Sequence, residues 1–257
     1  MVKGLYTAYT GMIHQQQRLD VISNNLANSA TVGFKREGAT ARSFDDVLAI
    51  KVKDGSEGFV DRGIGDMSMG VKFGETYRDY SQGSLRVTSN DYDLALSGDG
   101  FFQIAFTSKT GETTTKLTRD GNFTVNVQGY LVTQDGDYVL GTDGNPIQID
   151  PNAETTIDTA GRVIQNDAVV ANISVVDVED YNYLKKYGEN LFDLVEGGTL
   201  TQSTAAVEQG CLEQSNVQVV KEMVEMINVT RAYETNQKAI QAVDETLDKA
   251  VNQVGKV

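Results

Sequence analysis

One histidine and one cysteine are all that the chain offers for imidazole or thiolate chemistry: His14, inside a helical pattern, and Cys211, at the start of a Gly- and Pro-free tail. A Cys–His nucleophile pair needs a third group to orient the imidazole, and no spacing here supplies one. A histidine-based metal site needs a second imidazole, so His14 reads as an ordinary helix residue and Cys211 as a small residue at a helix start. The segment GIGDMSMG, Gly63 to Gly70, has two glycines of a dinucleotide-binding turn but lacks the third, and no GxxxxGK[ST] phosphate cradle occurs. The aspartates remain. Asp135, Asp137 and Asp143 could offer oxygen ligands to calcium, and Asp91 and Asp93 would share one strand face as paired carboxylates. The calcium-loop order D-x-[DN]-x-[DN]-G is not met, however, and Asp-Gly is first a hairpin signal. No catalytic residue, cofactor or metal site is predicted.

The 257 residues carry 22 basic and 36 acidic side chains, a formal charge of −14. The first 40 residues are net +2 and the last 48 net −2, so the charge lies in the middle. An acidic body without a basic stripe repels phosphate backbones, which argues against nucleic-acid binding. No run approaches the roughly 18 apolar residues of a membrane span, so no membrane insertion is expected. The N-terminal residues lack the apolar run of about 7–15 residues that a cleaved signal needs. A single cysteine excludes an internal disulfide.

The elements follow from glycine and periodicity. Residues 51–150 hold 15 of the 25 glycines, while Cys211 to Val254 hold neither Gly nor Pro. From Val219 a 4,3 walk meets apolar residues at eight of eleven positions, including Met223, Met226, Tyr233, Ile240 and Leu247. That is a heptad seam, and one helix from Leu212 to Val254 would reach about 65 Å at 1.5 Å per residue. The same walk from Leu5 meets Tyr9, Met12, Leu19 and Leu26 and predicts an N-terminal helix ending near Asn28. The middle reads as antiparallel strands turned at Asp120-Gly121, Gln128-Gly129, Asp135-Gly136 and Asp143-Gly144. Further strands are expected at Asp93–Leu96, Phe101–Phe106 and Ala171–Val178. The fold class expected is α+β. Long N- and C-terminal helices would pack as a discontinuous coiled-coil domain beside an all-β central domain of antiparallel hairpins. The boundaries are helix 1–30, a Gly-rich linker 31–82, a β domain 83–210 and helix 211–257. Too little apolar seam is available for one helix pair to be stable alone, so further helices should come from other copies.

The ends also carry motifs. TAYTGMIHQQQRLDVISNNLANSATVGFKR holds Asn24, Asn25, Leu26, Ala27 and Asn28, then Gly33, Phe34 and Lys35. It resembles the N-terminal signature of bacterial flagellar rod and hook proteins, an N-N-[apolar]-A-N element followed by a Gly-Phe-Lys elbow. The tail resembles the family's C-terminal signature through Leu212, Glu213, Ser215, Asn216, Val217, Glu222, Met223, Met226, Arg231, Tyr233, Glu234 and Asn236. SQGSLRVTSNDYDLALSGDGFF and LTRDGNFTVNVQGYLVT resemble the family's entry into its β domain. Residues 177–210 match loosely.

The resemblance implies a non-enzymatic axial subunit of the flagellar basal body, most similar to the distal and proximal rod types, with a hook-type axial protein as the alternative. It implies a helical homo-oligomer, other rod and hook proteins as neighbours, and export through the flagellar type III apparatus without a cleaved signal. It also implies a place in the basal body crossing the cell envelope, and torque transmission from motor to hook. The expected assembly surface joins the seam and signature residues: Leu5, Tyr9, Met12, Leu19, Asn24, Asn25, Leu26, Asn28, Gly33, Phe34, Lys35, Leu212, Glu213, Ser215, Asn216, Val217, Met223, Met226, Tyr233, Asn236, Ile240 and Leu247. Two rivals from other classes are a secreted calcium-dependent β-rich hydrolase and a coiled-coil module for a different helical partner.

Overall fold

A computed structural model describes residues 2–44, 47–50, 63–108, 111–188 and 190–254. They form two compact units, one of Met1–Ala27, Glu37–Asp79 and Gln218–Val257, the other of Asn28–Arg36 and Tyr80–Val217.

In the first unit, helix α1 spans Val2–Ala27 and helix α2 spans Val219–Lys249. The Gly-rich stretch between them holds a two-stranded antiparallel ribbon. Glu37–Ser43 pairs with Val71–Arg78, and Val47–Ile50 with Gly63–Met67. A bulge between Ala39 and Ala41 shifts the register. The ribbon packs on α1, with Phe44 against Tyr6 and Phe73 against His14 at ring separations of 6.2 and 6.4 Å.

The two helices lie alongside each other, but not as the coiled coil that the 4,3 walk predicts. Much of their contact line is polar. Asn25 donates to Glu222, Arg18 pairs with Glu225, and Gly11 lies close under Asn236, where a Cβ would stand 3.0 Å from the Asn236 amide. Apolar knobs in holes define a coiled coil, and charge pairs and a glycine cannot supply them. One row of the predicted seam, Met226, Tyr233 and Ile240, is half-buried. The other row is displaced by one residue, from Met223 and Thr230 to Glu222 and Val229, which are the buried residues of α2. A one-residue step turns a helix by about 100°, so Met223 faces outward. The class is therefore α+β, with a helix–ribbon unit in place of a coiled coil.

Helix α2 also begins seven residues later than Leu212. Cys211–Glu213 is a strand paired with Leu85–Val87, and Leu212 and Glu213 are buried in the second unit.

The second unit centres on a nine-stranded antiparallel sheet. Its main path runs Leu184–Tyr187, Leu191–Leu194, Thr113–Thr118, Phe101–Thr107, Tyr138–Val139, Leu131–Thr133 and Phe123–Val125; Val175–Val178 joins Phe101–Thr107 and carries Leu200–Gln202. Successive residues of a strand face opposite ways, so Phe101–Thr107 serves two cores. Phe102 and Ile104 pack with Leu94, Phe123, Leu131 and Ile147, while Phe101 packs with Leu117, Val178, Leu184 and Phe192.

Three of the four predicted turns form, with Gly129, Gly136 and Gly144 at positive φ and their N–H groups closing the turns. Gly121 differs. A Cβ there would lie on the Leu94 carbonyl, so its glycine answers a close backbone approach and not a hairpin turn. The predicted strand Ala171–Val178 is two strands: Ala168–Asn172 belongs to a three-stranded sheet with Thr155–Ile157 and Arg162–Gln165, and Val175–Val178 to the large sheet.

Candidate functional site

Within the second unit the two signature segments meet. Gly33 has φ +68, and a Cβ on it would stand 2.6 Å from the Arg119 carbonyl carbon, so only glycine fits the elbow. The turn is fixed at its start by Asn28, whose side-chain oxygen accepts from the Thr31 hydroxyl at 3.2 Å. The Gly33 N–H donates to the Glu213 carbonyl at 2.9 Å, and the Arg36 N–H to the Asn216 side-chain oxygen at 2.7 Å.

This pairing delivers Lys35 to Glu213. Lys35 Nζ donates to Glu213 Oε1 at 2.6 Å and to the Ser81 carbonyl at 2.8 Å. Arg119 Nη1 donates to Glu213 Oε2 at 3.3 Å, and the Gly83 N–H to Oε1 at 2.9 Å. The side chains of Lys35, Glu213 and Arg119 are 1%, 1% and 2% exposed. A carboxylate this deep is tolerable because its lone pairs are occupied by charged and backbone donors. Phe34 is buried beside it under Lys186, 5.1 Å from the ring, and Arg119 lies 5.2 Å from the Phe101 ring. Leu212 and Val217 are buried, and Ser215 accepts from the Val217 N–H. Arg119 is the member of this cluster that periodicity missed. Its only sequence signal is a long cation placed between the apolar strand end Leu117 and Asp120-Gly121.

In the first unit Asn25 is the counterpart. Its side-chain oxygen accepts from the Glu37 N–H at 2.9 Å, and its amide donates to the Glu37 carbonyl at 2.7 Å and Glu222 Oε2 at 3.4 Å. One buried amide thus joins α1, the ribbon and α2. Leu5, Met12, Leu19, Leu26, Met226, Tyr233, Asn236 and Ile240 are half-buried, whereas Tyr9, Asn24, Met223 and Leu247 are exposed. Among the described residues Ile22 and Val229 are the only fully buried apolar side chains of the two helices. His14 is buried against the ribbon, and desolvation, with the Arg18 charge second, holds it below its ordinary pKa.

Of the paired-carboxylate candidates Asp91 and Asp93, the second is held by its own segment. Asp93 is buried and accepts from Thr88 Oγ1 at 2.6 Å and Asn90 Nδ2 at 3.0 Å. Asp120 accepts from the Asn122 N–H at 3.0 Å, and burial pushes its carboxyl up. Among the described residues no three acidic, His or Cys side chains are grouped to hold a metal ion.

Comparison with known proteins covers both ends and the β region. Residues 5–35 match the flagella basal body rod protein family, residues 95–165 the flagellar hook protein FlgE/F/G D1 domain, and residues 208–254 the flagellar basal body rod FlgEFG protein C-terminal family. The chain is 36% identical to the flagellar basal-body rod protein FlgF of Caulobacter vibrioides, with all of both chains covered. It is 34% identical to the flagellar hook-basal body complex protein FlhO of Bacillus subtilis, again over all of both. It is also 34% identical to the rod protein FlgG of that organism, over 98% of this chain and 99% of the relative. With this likeness running end to end, the chain belongs to the flagellar basal-body rod protein family.

Proposed function

We propose that this protein is a structural, non-catalytic subunit of the flagellar basal-body rod, stacked with copies of itself and with related rod and hook proteins into a helical tube that carries torque. The observation that carries the reading is the helix–ribbon unit. It is built from both chain ends, buries two apolar side chains on its helices, and exposes Tyr6, Tyr9, Ile13, Val220, Met223, Val224 and Ile227. Faces of this kind are completed by other molecules. Assembly at the ends then finishes their folding, while the second unit, with two closed cores, is already complete. Passage through the flagellar type III apparatus without a cleaved signal, and a place in the basal body across the envelope, belong to the same proposal.

Limited proteolysis of the dilute full-length protein tests it. The clamp at Gly33, Lys35 and Glu213 places Asn28–Arg36 and Cys211–Val217 with the protected body. The stable fragment should run from about Asn28 to Val217, with α1 and α2 cut first. Helices as resistant as the sheet at micromolar concentration would count against the reading.

A further inference from the structure

The first unit holds a groove that the described residues leave empty. Its volume is about 320 Å³, and it is walled by α1 and the ribbon, through Tyr9, Ile13, His14, Phe44, Val71 and Phe73. His14 is more than nine-tenths buried in that wall, yet its Nδ1 has no hydrogen-bond partner. An unsatisfied buried polar atom is costly, and a site that carries that cost on an apolar wall is suited to an incoming group. The same unit carries a matching ridge. Val220, Met223, Val224 and Ile227, spaced i, i+3, i+4 and i+7 on α2, are 76%, 48%, 53% and 52% exposed. That spacing is how an amphipathic helix enters a groove.

We propose that the α2 ridge of one copy seats in the α1–ribbon groove of the next, giving a head-to-tail contact between rod subunits. This deepens the rod reading and rests on it.

Position along the helices supports a second copy as the occupant. The pairings Gly11–Asn236, Arg18–Glu225 and Asn25–Glu222 run the helices antiparallel and put the ridge level with about residue 21 of α1. The α1 lining of the groove, from Tyr6 to Gln17, is centred between Gly11 and Met12, roughly 14 Å away along the axis at 1.5 Å per residue. A chain therefore cannot fill its own groove with its own ridge, and a neighbour can do so when displaced along the axis by about that distance. Two different surfaces meeting in this way leave one of each free, so the contact propagates and does not close. Four ridge side chains against a groove of ten lining residues make a contact smaller than the roughly 20–30 residues a side of a free-standing complex. Such a contact is weak for two molecules in solution and effective when a tube repeats it, which favours a second copy over a soluble partner. Asn228, beside Ile227 and exposed, brings an amide that can serve His14 Nδ1.

Disulfide trapping in cells tests the pairing. In a Cys211→Ser background, Ile13→Cys and Ile227→Cys chains are expressed singly and together, and purified basal bodies are run without reductant. A dimer-sized band should form when both variants are present and be lost on reduction, with none from either alone. Tyr9→Cys with Val224→Cys repeats the question if the first pair fails to assemble. Both variants present in basal bodies without a mixed dimer would overturn the pairing and leave the rod reading standing. Absence of the unsubstituted protein from basal bodies would overturn the rod reading itself.

Discussion

Replacing Glu213 by Gln keeps the side chain's shape and removes the carboxylate that pairs with two buried cations. Lys35 Nζ would retain the Ser81 carbonyl, and Arg119 would retain the face of Phe101, but neither replaces a carboxylate at 2.6 and 3.3 Å. Breaking a buried ion pair by removing one partner costs about 3–5 kcal/mol. Two cations depend on this carboxylate, so the upper half of that range is expected, about 4–5 kcal/mol. The chain has 11 tyrosines and no tryptophan, so urea unfolding can be followed by tyrosine fluorescence and circular dichroism. With a slope of 2–3 kcal/mol per molar, the midpoint of the sheet unit should fall by roughly 2 M. Lys35→Met should cost less, because Arg119 and Gly83 still hold the carboxylate. Exposed Glu196→Gln should leave the midpoint unmoved. A fall below about 0.5 M for Glu213→Gln, or a larger loss for Lys35→Met, would refute the clamp reasoning.

Three further outcomes follow from the same geometry. Asn25→Ala removes the side-chain partner that Asn25 gives the Glu37 N–H and carbonyl and should destabilise the helix–ribbon unit by about 2–3 kcal/mol, read as faster proteolysis of α1 with the sheet unit unchanged. Gly33→Ala puts a side chain at φ +68 against the Arg119 backbone and should cost the sheet unit about 2–3 kcal/mol in urea; an unchanged midpoint would mean the elbow tolerates a Cβ. His14 has a folded pKa below its ordinary 6.5, so the unfolded chain binds the extra proton first as pH falls. Stability of the helix–ribbon unit should be full above about pH 7 and decline as pH drops through 6.5, and His14→Gln should flatten that decline.

Legibility in the sequence tracked the strength of the local signal. Val2–Ala27 was readable because its apolar spacing ends where Asn28 and Gly33 begin a turn. The Asp-Gly and Gln-Gly turns were readable because positive φ selects glycine, and Gly121 misled because contact with Leu94 selects it equally well. The 37–78 ribbon carries no two-residue alternation that would mark a half-buried sheet, and its pairing was invisible. Residues 211–218 looked helical because they lack Gly and Pro, yet Leu212 and Glu213 are buried in a ladder with 85–87. The coiled coil failed at Glu222 and Asn236. A hydrophobic walk cannot see that a polar row faces α1 until Asn25, Arg18 and Gly11 are placed opposite it. The motifs pointed to both ends. That Lys35 and Glu213 touch, and that Arg119 joins them, required the fold.

The measurement that bears most directly on the account is imaging of basal bodies from cells lacking this protein beside cells in which it is restored. A structural rod subunit predicts an axial structure that stops within the rod, with no hook beyond it, and recovers full length on restoration. Basal bodies with a complete rod and hook in its absence would contradict the account.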